Sequence, residues 1–116
     1  MMVHQREIVE VPFEMPDGRI LPHMALVLSA DDIQDYEDGL FYAVLISSKN
    51  HFPELTIPIQ NEWMNKPLSK QSFFITHIVK DFNTSEVINR YNNFIKADIF
   101  PSLIKQIAEN ITNIKL

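Results

Sequence analysis

From Glu7 to Lys80 this chain is a succession of short segments that either alternate apolar and polar residues or run apolar without a break, each closed by a turn-forming cluster. The three-and-four spacing of a long amphipathic helix sets in only near the carboxyl end. Strands that follow one another with no helix between them pair antiparallel, because a parallel pair needs a crossover of about a dozen residues or more. The expected fold is therefore α+β, a small antiparallel β-barrel followed by terminal helices.

The segments can be placed one by one. Met24 to Leu28 is an unbroken apolar run bounded by Pro22 and by Ser29-Ala30-Asp31-Asp32, which predicts a short strand buried on both faces. Ahead of it, Glu7 to Phe13 puts Val9, Val11 and Phe13 on one face and Ile8, Glu10 and Pro12 on the other. Pro12 has no amide proton, so this strand lies near a sheet edge or ends there. Pro16-Asp17-Gly18-Arg19 turns the two into a hairpin whose polar tip carries Asp17, Arg19 and His23. The acidic stretch from Ala30 to Gly39 predicts a loop or short helical turn and fits no calcium or magnesium loop template. Leu40 to Ser48 is the most apolar run and predicts a central strand ending in two hydroxyls. Leu55 to Ile59 alternates, and Gln60 to Lys70 is a loop holding the one tryptophan, Trp63. Ser72 to Lys80 predicts the last long strand, with Phe73, Ile75, His77 and Val79 on one face and Phe74, Thr76, Ile78 and Lys80 on the other. Beyond it, Asn83 and Glu86 form a cap pair for a short helix through Tyr91. Phe94 to Ala97 reads as a brief extended segment. Asp98 then caps a second helix with Pro101 in its first turn. Leu103, Ile104, Ile107, Ile111 and Ile114 make one apolar stripe along it.

At 116 residues and 46% hydrophobic, the chain supports one core and a single domain over 1–116. It contains no run long and apolar enough to span a bilayer, and Met1 to Arg6 lacks the apolar stretch of a signal peptide, so a cytoplasmic protein with no membrane partner is expected. The absence of cysteine excludes disulfides, thiolate metal sites and cysteine nucleophiles. A net charge of −5 argues against broad, non-specific nucleic-acid binding and leaves room for a localised basic groove built from some of the ten Lys and Arg residues.

The order of pieces carries a resemblance. Arg6 to Phe13, the Asp17-Gly18 turn, Ala25-Leu26-Val27-Leu28-Ser29, the strand ending Ile46-Ser47-Ser48, Leu55-Thr56-Ile57-Pro58 and the closing amphipathic helix together resemble the PemK/MazF family of toxin endoribonucleases. The resemblance covers nearly the whole chain and is most specific in its opening third. It implies an SH3-like antiparallel barrel, a homodimer, metal-independent cleavage of single-stranded RNA, inhibition of growth, and silencing by a cognate antitoxin protein. It also implies an Arg-Pro pair directly before the Ala25–Ser29 segment. This chain has His23-Met24 there, or Leu21-Pro22 if the alignment slips, and neither supplies a guanidinium. Ser47-Ser48 stands where the family has Thr-Ser or Thr-Gly, Asp17 matches an acidic loop residue, and Lys80 falls near a basic position of the last strand.

Metal-free cleavage uses the RNA 2′-hydroxyl as nucleophile, so the site needs a base, an acid for the leaving 5′-oxygen, and donors for the charge that grows on phosphorus. On that logic His23 serves as base or acid. Arg19, close along the loop, supplies the missing cation. Ser47 donates to a non-bridging oxygen, with Ser48, Asp17, Lys80 and Lys49 contacting the RNA. Plainer readings stand beside these. His23 is a surface residue at a strand start, Ser47 and Ser48 offer their hydroxyls to turn amides, His51 is a turn residue, and His77, on an apolar face, is a buried and hydrogen-bonded core histidine. Four histidines at irregular spacing make no metal site, and no cofactor is expected. Two candidate functions result: a ribonuclease toxin with an altered site, or a barrel that has lost cleavage and acts as a protein- or RNA-binding regulatory module.

Overall fold

Turn chemistry builds the first hairpin. Gly18 takes φ +88, a region closed to most side chains, and the turn closes with the Met15 amide donating to Arg19 O at 2.7 Å. Strands β1 (Glu7–Glu14) and β2 (Ile20–Val27) then pair antiparallel, with Val9 opposite Ala25 and Val11 opposite His23. The computed structural model, which describes residues 2–116, continues with a short helix α1 (Asp32–Tyr36), strand β3 (Leu40–Ser47), a three-residue strand β4 (Thr56–Pro58), the long strand β5 (Phe73–Asn83), strand β6 (Asn89–Phe94) and helix α2 (Phe100–Thr112). All strand pairs are antiparallel, and the order across the sheet is β4-β5-β3-β2-β1-β6. The most apolar run, Leu40–Ser47, is thus an interior strand, as its composition predicts.

Both faces of the bent sheet are covered. One carries Ile8, Leu26, Val44, Ile46, Ile57 and Phe74, and receives Phe100, Leu103 and Ile107 from α2. The other carries Val9, Val11, Phe13, Ala25, Val27, Phe41, Ala43, Leu45, Ile75 and Phe82 and is lined by Val3. Ala25, Leu26 and Val27 therefore alternate between two buried faces, the arrangement an unbroken apolar run requires.

The ladder does not close between β4 and β6. The chain segment between β4 and β5 does the closing instead: Met64 bridges Ile95, the Lys96 amide donates to Trp63 O at 2.8 Å, and the Phe94 amide donates to Asn65 Oδ1 at 2.7 Å. Buried Asn93 completes the clasp, accepting from the Lys66 amide at 3.0 Å and donating to Lys66 O at 2.9 Å. The result is a small antiparallel barrel fastened along one seam by backbone bonds and by the side chains of Asn65 and Asn93.

Three sequence expectations are corrected. The Asn83–Glu86 capping box forms, with the Ser85 amide on Asn83 Oδ1 at 3.0 Å and the Asn83 amide on Glu86 Oε1 at 2.8 Å, but it opens a 3-10 turn of three residues and not a helix through Tyr91. The next residues become β6, because β1 presents an edge whose backbone groups need partners and a local cap cannot outweigh that pairing. Asp98 does not cap α2: Ile99 occupies the cap position and offers no side-chain capping bond, although Pro101 does sit in the first turn. Finally, β5 does not alternate evenly. Val44 faces Val79 while the next residue, Leu45, faces Ile75, so one step along β3 spans four along β5. Residues 76–78 form a bulge that reverses the faces beyond it, leaving Ile75 and Ile78 on one side and Phe74 and Val79 on the other.

Among the described residues no helix is long and apolar enough to cross a membrane. The second half of the α2 stripe is not buried: Ile111 is 51% exposed and Ile114, beyond the helix, 59%.

Candidate active-site groove

A groove of about 1190 Å³ opens on the sheet where the β1–β2 hairpin, the end of β3 and the bulge of β5 meet. Its floor includes the apolar Phe13, Leu45, Ile75 and Ile78. Its polar lining comes from separate stretches of chain: Arg19 and His23 from the hairpin, Ser47, Ser48, Lys49 and His51 from the end of β3 and the loop beyond, Lys70 ahead of β5, and His77 from the bulge. Three of the chain's ten Lys and Arg residues and three of its four histidines thus share one concavity, against two carboxylates, Glu10 and Glu14. In a chain of net charge −5, the lining here has a small excess of cations over carboxylates.

Each candidate side chain is held in a definite way. His23 is half-buried on β2 and stands edge-on to Phe13, with ring centroids 5.7 Å apart and planes at 77°. Arg19 is exposed at the hairpin tip, where its Nε donates to Asp17 Oδ2 at 2.6 Å and its amide donates to Asp17 Oδ1 at 3.0 Å. Asp17 therefore orients Arg19 and lies outside the groove lining itself. The Ser47 hydroxyl accepts the Lys49 amide at 3.1 Å, which turns the chain out of β3 and leaves the hydroxyl proton for another acceptor. Ser48, Lys49 and His51 come next, on the exposed loop. Lys80 is not part of this lining. Its ammonium lies 5.2 Å from the centroid of the Phe13 ring, a cation–π contact.

Two further groups carry no mark in the residue pattern. Tyr91 lines the groove from β6; burial raises its phenol above the usual range, and the charge and hydrogen bond of Glu10 add to the shift, so it stays a protonated donor. His77 is exposed, which corrects the expectation of a core histidine. Strict alternation would seat it beside Ile75; the bulge instead pushes it out of the ladder, where it meets the edge of Phe52 at 6.1 Å and 79°. No sequence signal marks a bulge in a run without glycine. Lys70 and Phe52 also lie on loops where nothing in the residue pattern singles them out. Among the described residues, no three His, Asp or Glu side chains converge as a metal-binding group.

At the start of β1, away from the hairpin, Glu7 is 1% exposed and is gripped by Arg90, whose Nε and Nη2 donate to its two oxygens at 2.6 and 2.8 Å. Donating to the Glu7 carboxylate raises the Arg90 guanidinium further above its usual range, against the effect of burial. This pair ties β1 to β6.

A small antiparallel barrel with a C-terminal helix and a cationic groove at the hairpin end defines a class of fold before any relative is considered. No protein-family model and no curated protein matches this sequence. Solved structures do match in fold. A crystal structure of MazF from Deinococcus radiodurans aligns with a TM-score of 0.72 at 11% identity, covering 97% of this chain and 96% of that one. An endoribonuclease from a mycobacterial species, in complex with its cognate antitoxin, aligns at 0.66 with 9% identity over 96% and 94% of the two chains. The Mycobacterium tuberculosis toxin MazF-mt6 aligns at 0.64 with 13% identity over 93% and 94%. The fold of this chain is that of the MazF/PemK-like toxins.

Proposed function

We propose that this chain is the toxin of a type II toxin–antitoxin system, a metal-independent endoribonuclease that cuts single-stranded RNA in the groove. The observation that carries the reading is the gathering of His23, Arg19 and Ser47 from separate segments into one cation-lined concavity on a MazF-like fold. Its volume, about 1190 Å³, exceeds the roughly 300–1,000 Å³ of ordinary small-ligand pockets, which suits a polymer threading through.

The chemistry comes from the groups present. The 2′-oxygen attacks phosphorus, the bond to the 5′-oxygen breaks, and the products are a 2′,3′-cyclic phosphate and a new 5′-hydroxyl. His23 exchanges a proton with one of these two oxygens. Arg19, whose Nη groups remain once Nε has bonded Asp17, and the Ser47 hydroxyl stabilise the charge on the non-bridging oxygens. Lys49 and Ser48, on the exposed loop beside Ser47, hold the flanking backbone. Asp17 acts by orienting Arg19. Lys80, stacked on Phe13, contributes positive charge next to the groove. Incubating a long, lightly structured RNA with the protein in EDTA and mapping fragment ends tests this directly. Fragments with 5′-hydroxyls are expected, and His23→Ala with Arg19→Ala should remove them.

One observation favours a second reading. Neither His23-Met24 nor Leu21-Pro22 supplies the arginine that the family resemblance implies before the Ala25–Ser29 segment, and the guanidinium of Arg19 is already paired with a carboxylate. A barrel that keeps the fold without cleavage, and binds RNA or protein as a regulatory module, would leave the RNA intact at micromolar concentration. In either case an antitoxin and a second copy of this chain are the expected partners and the cytoplasm the expected compartment. Sedimentation equilibrium, alone and with a co-expressed antitoxin, distinguishes monomer, homodimer and complex.

A further inference from the structure

We infer that His77 is the second proton-transfer group of the site, working opposite His23; this rests on the ribonuclease reading above. In-line displacement at phosphorus places the attacking and leaving oxygens on opposite sides, so the base and the acid must approach from opposite directions. The groove offers that arrangement. Ala25, Leu45 and Ile75 lie in register across β2, β3 and β5; because β2 and β5 both run antiparallel to β3, His23 lies two residues to one side of that row and His77, in the bulge, to the other. Two strand spacings separate the β2 and β5 backbones by roughly 10 Å. Both side chains line the same groove, His23 from the β2 side of β3 and His77 from the β5 side.

The placement of His77 is a built feature and not an accident of an exposed strand. The bulge at residues 76–78 takes it out of the ladder with β3. Fully buried Thr76 pins the bulge from both sides: its hydroxyl donates to Leu55 O at 2.7 Å and accepts from Asn110 Nδ2 of α2 at 3.1 Å. Phe52 then stands edge-on to the His77 ring, as Phe13 does to His23. Each imidazole thus has one aromatic buttress on its own wall. The proton balance closes with these two groups: one takes the proton of the 2′-hydroxyl as the P–O2′ bond forms, and the other gives a proton to the 5′-oxygen as the P–O5′ bond breaks. A water-borne proton exchange resets the pair.

The test is the pH dependence of kcat on a short single-stranded RNA in EDTA, for the wild-type protein and for His77→Ala. The wild type is expected to show a bell. His77→Ala should lower kcat by about 10²–10⁴ with KM little changed. It should also keep only one limb of the bell, and added imidazole should restore part of the rate. A kcat within about threefold of wild type, or a slower enzyme that keeps both limbs, overturns the assignment while leaving the nuclease standing. A wild-type protein that is folded and leaves the RNA intact overturns the nuclease reading and this inference together, and that arm is read first.

Discussion

Gly39 sits at φ +92, and a Cβ placed there would come within 2.7 Å of Thr84 Oγ1, whereas at Gly18, φ +88, nothing lies within 4 Å. Both glycines relieve backbone strain, but only Gly39 also makes room for a packed neighbour. Gly18→Ala should therefore cost about 1 kcal/mol, and Gly39→Ala about 2 kcal/mol or more, read as lower urea midpoints at unchanged slope. The Glu7–Arg90 pair is the other residue-scale determinant. Arg90→Ala leaves a buried carboxylate without its partner and should cost about 2–3 kcal/mol on the same urea scale, whereas an exposed pair such as Asp17–Arg19 contributes less than about 1 kcal/mol. Asp31 supplies a pH signature. Burial pushes its carboxyl up, but the His4 hydrogen bond, the Gln5 amide and the charges of His4 and Arg6 outweigh it, so the carboxyl titrates below the usual range. A depressed folded value stabilises at pH above the ordinary aspartate range near 3.9 and is lost as pH falls through the lowered one. Asp31→Asn should flatten that acid-side slope, with an amplitude below about 1 kcal/mol because the pair is exposed.

At the scale of elements, the bulge of β5 decides what the groove contains. Thr76→Val keeps the shape and removes the hydroxyl that links Leu55 O to Asn110, so the bulge should loosen: faster amide exchange at residues 75–79 and a loss of about 1–3 kcal/mol are expected. The same element shows where sequence reasoning stops. Period-two alternation locates β1 and the start of β5, and unbroken apolar runs bounded by turn residues locate β2 and β3. The turn with Asp17 and Arg19 is legible because Gly18 and Asp17 prescribe it, but β2 begins at Ile20 and not at Met24, which takes His23 from the expected tip into the strand opposite Val11. Three extra residues in one strand leave no trace in an apolar run, so the reversal after Ile75 and the exposure of His77 are not legible. The β6 strand is hidden by a genuine capping box: Asn83 and Glu86 do bond as their types suggest, yet the conformation of the next residues is set by a strand edge some eighty residues earlier in the chain. Asp98 fails as a cap for the converse reason, because composition ranks candidates for a helix start and cannot fix the turn that leads into it.

For the molecule as a whole, charge distribution matters more than net charge. If Arg19, Lys49 and Lys70 make the phosphate contacts, about three counterions are released, and log K for single-stranded RNA should fall with log salt at a slope near −2. A much steeper slope would point to a larger basic surface than the groove, or to one formed by two copies of the chain. The clasp between the segment after β4 and β6 has a comparable reach: Asn93→Ala removes two of its hydrogen bonds and should open the seam locally before the barrel unfolds, seen as early exchange at Lys66 and Phe94. The Glu7–Arg90 pair carries a last consequence, for biosynthesis. Its two partners lie 83 residues apart, so at roughly 5–20 residues per second the carboxylate waits about 4–17 s on the ribosome before its guanidinium exists. Throughout that interval β1 is an open edge beside a carboxylate that has no partner. The barrel can close only after almost the entire chain has been made, and the groove, which Tyr91 of β6 helps to line, is complete only when synthesis is nearly over.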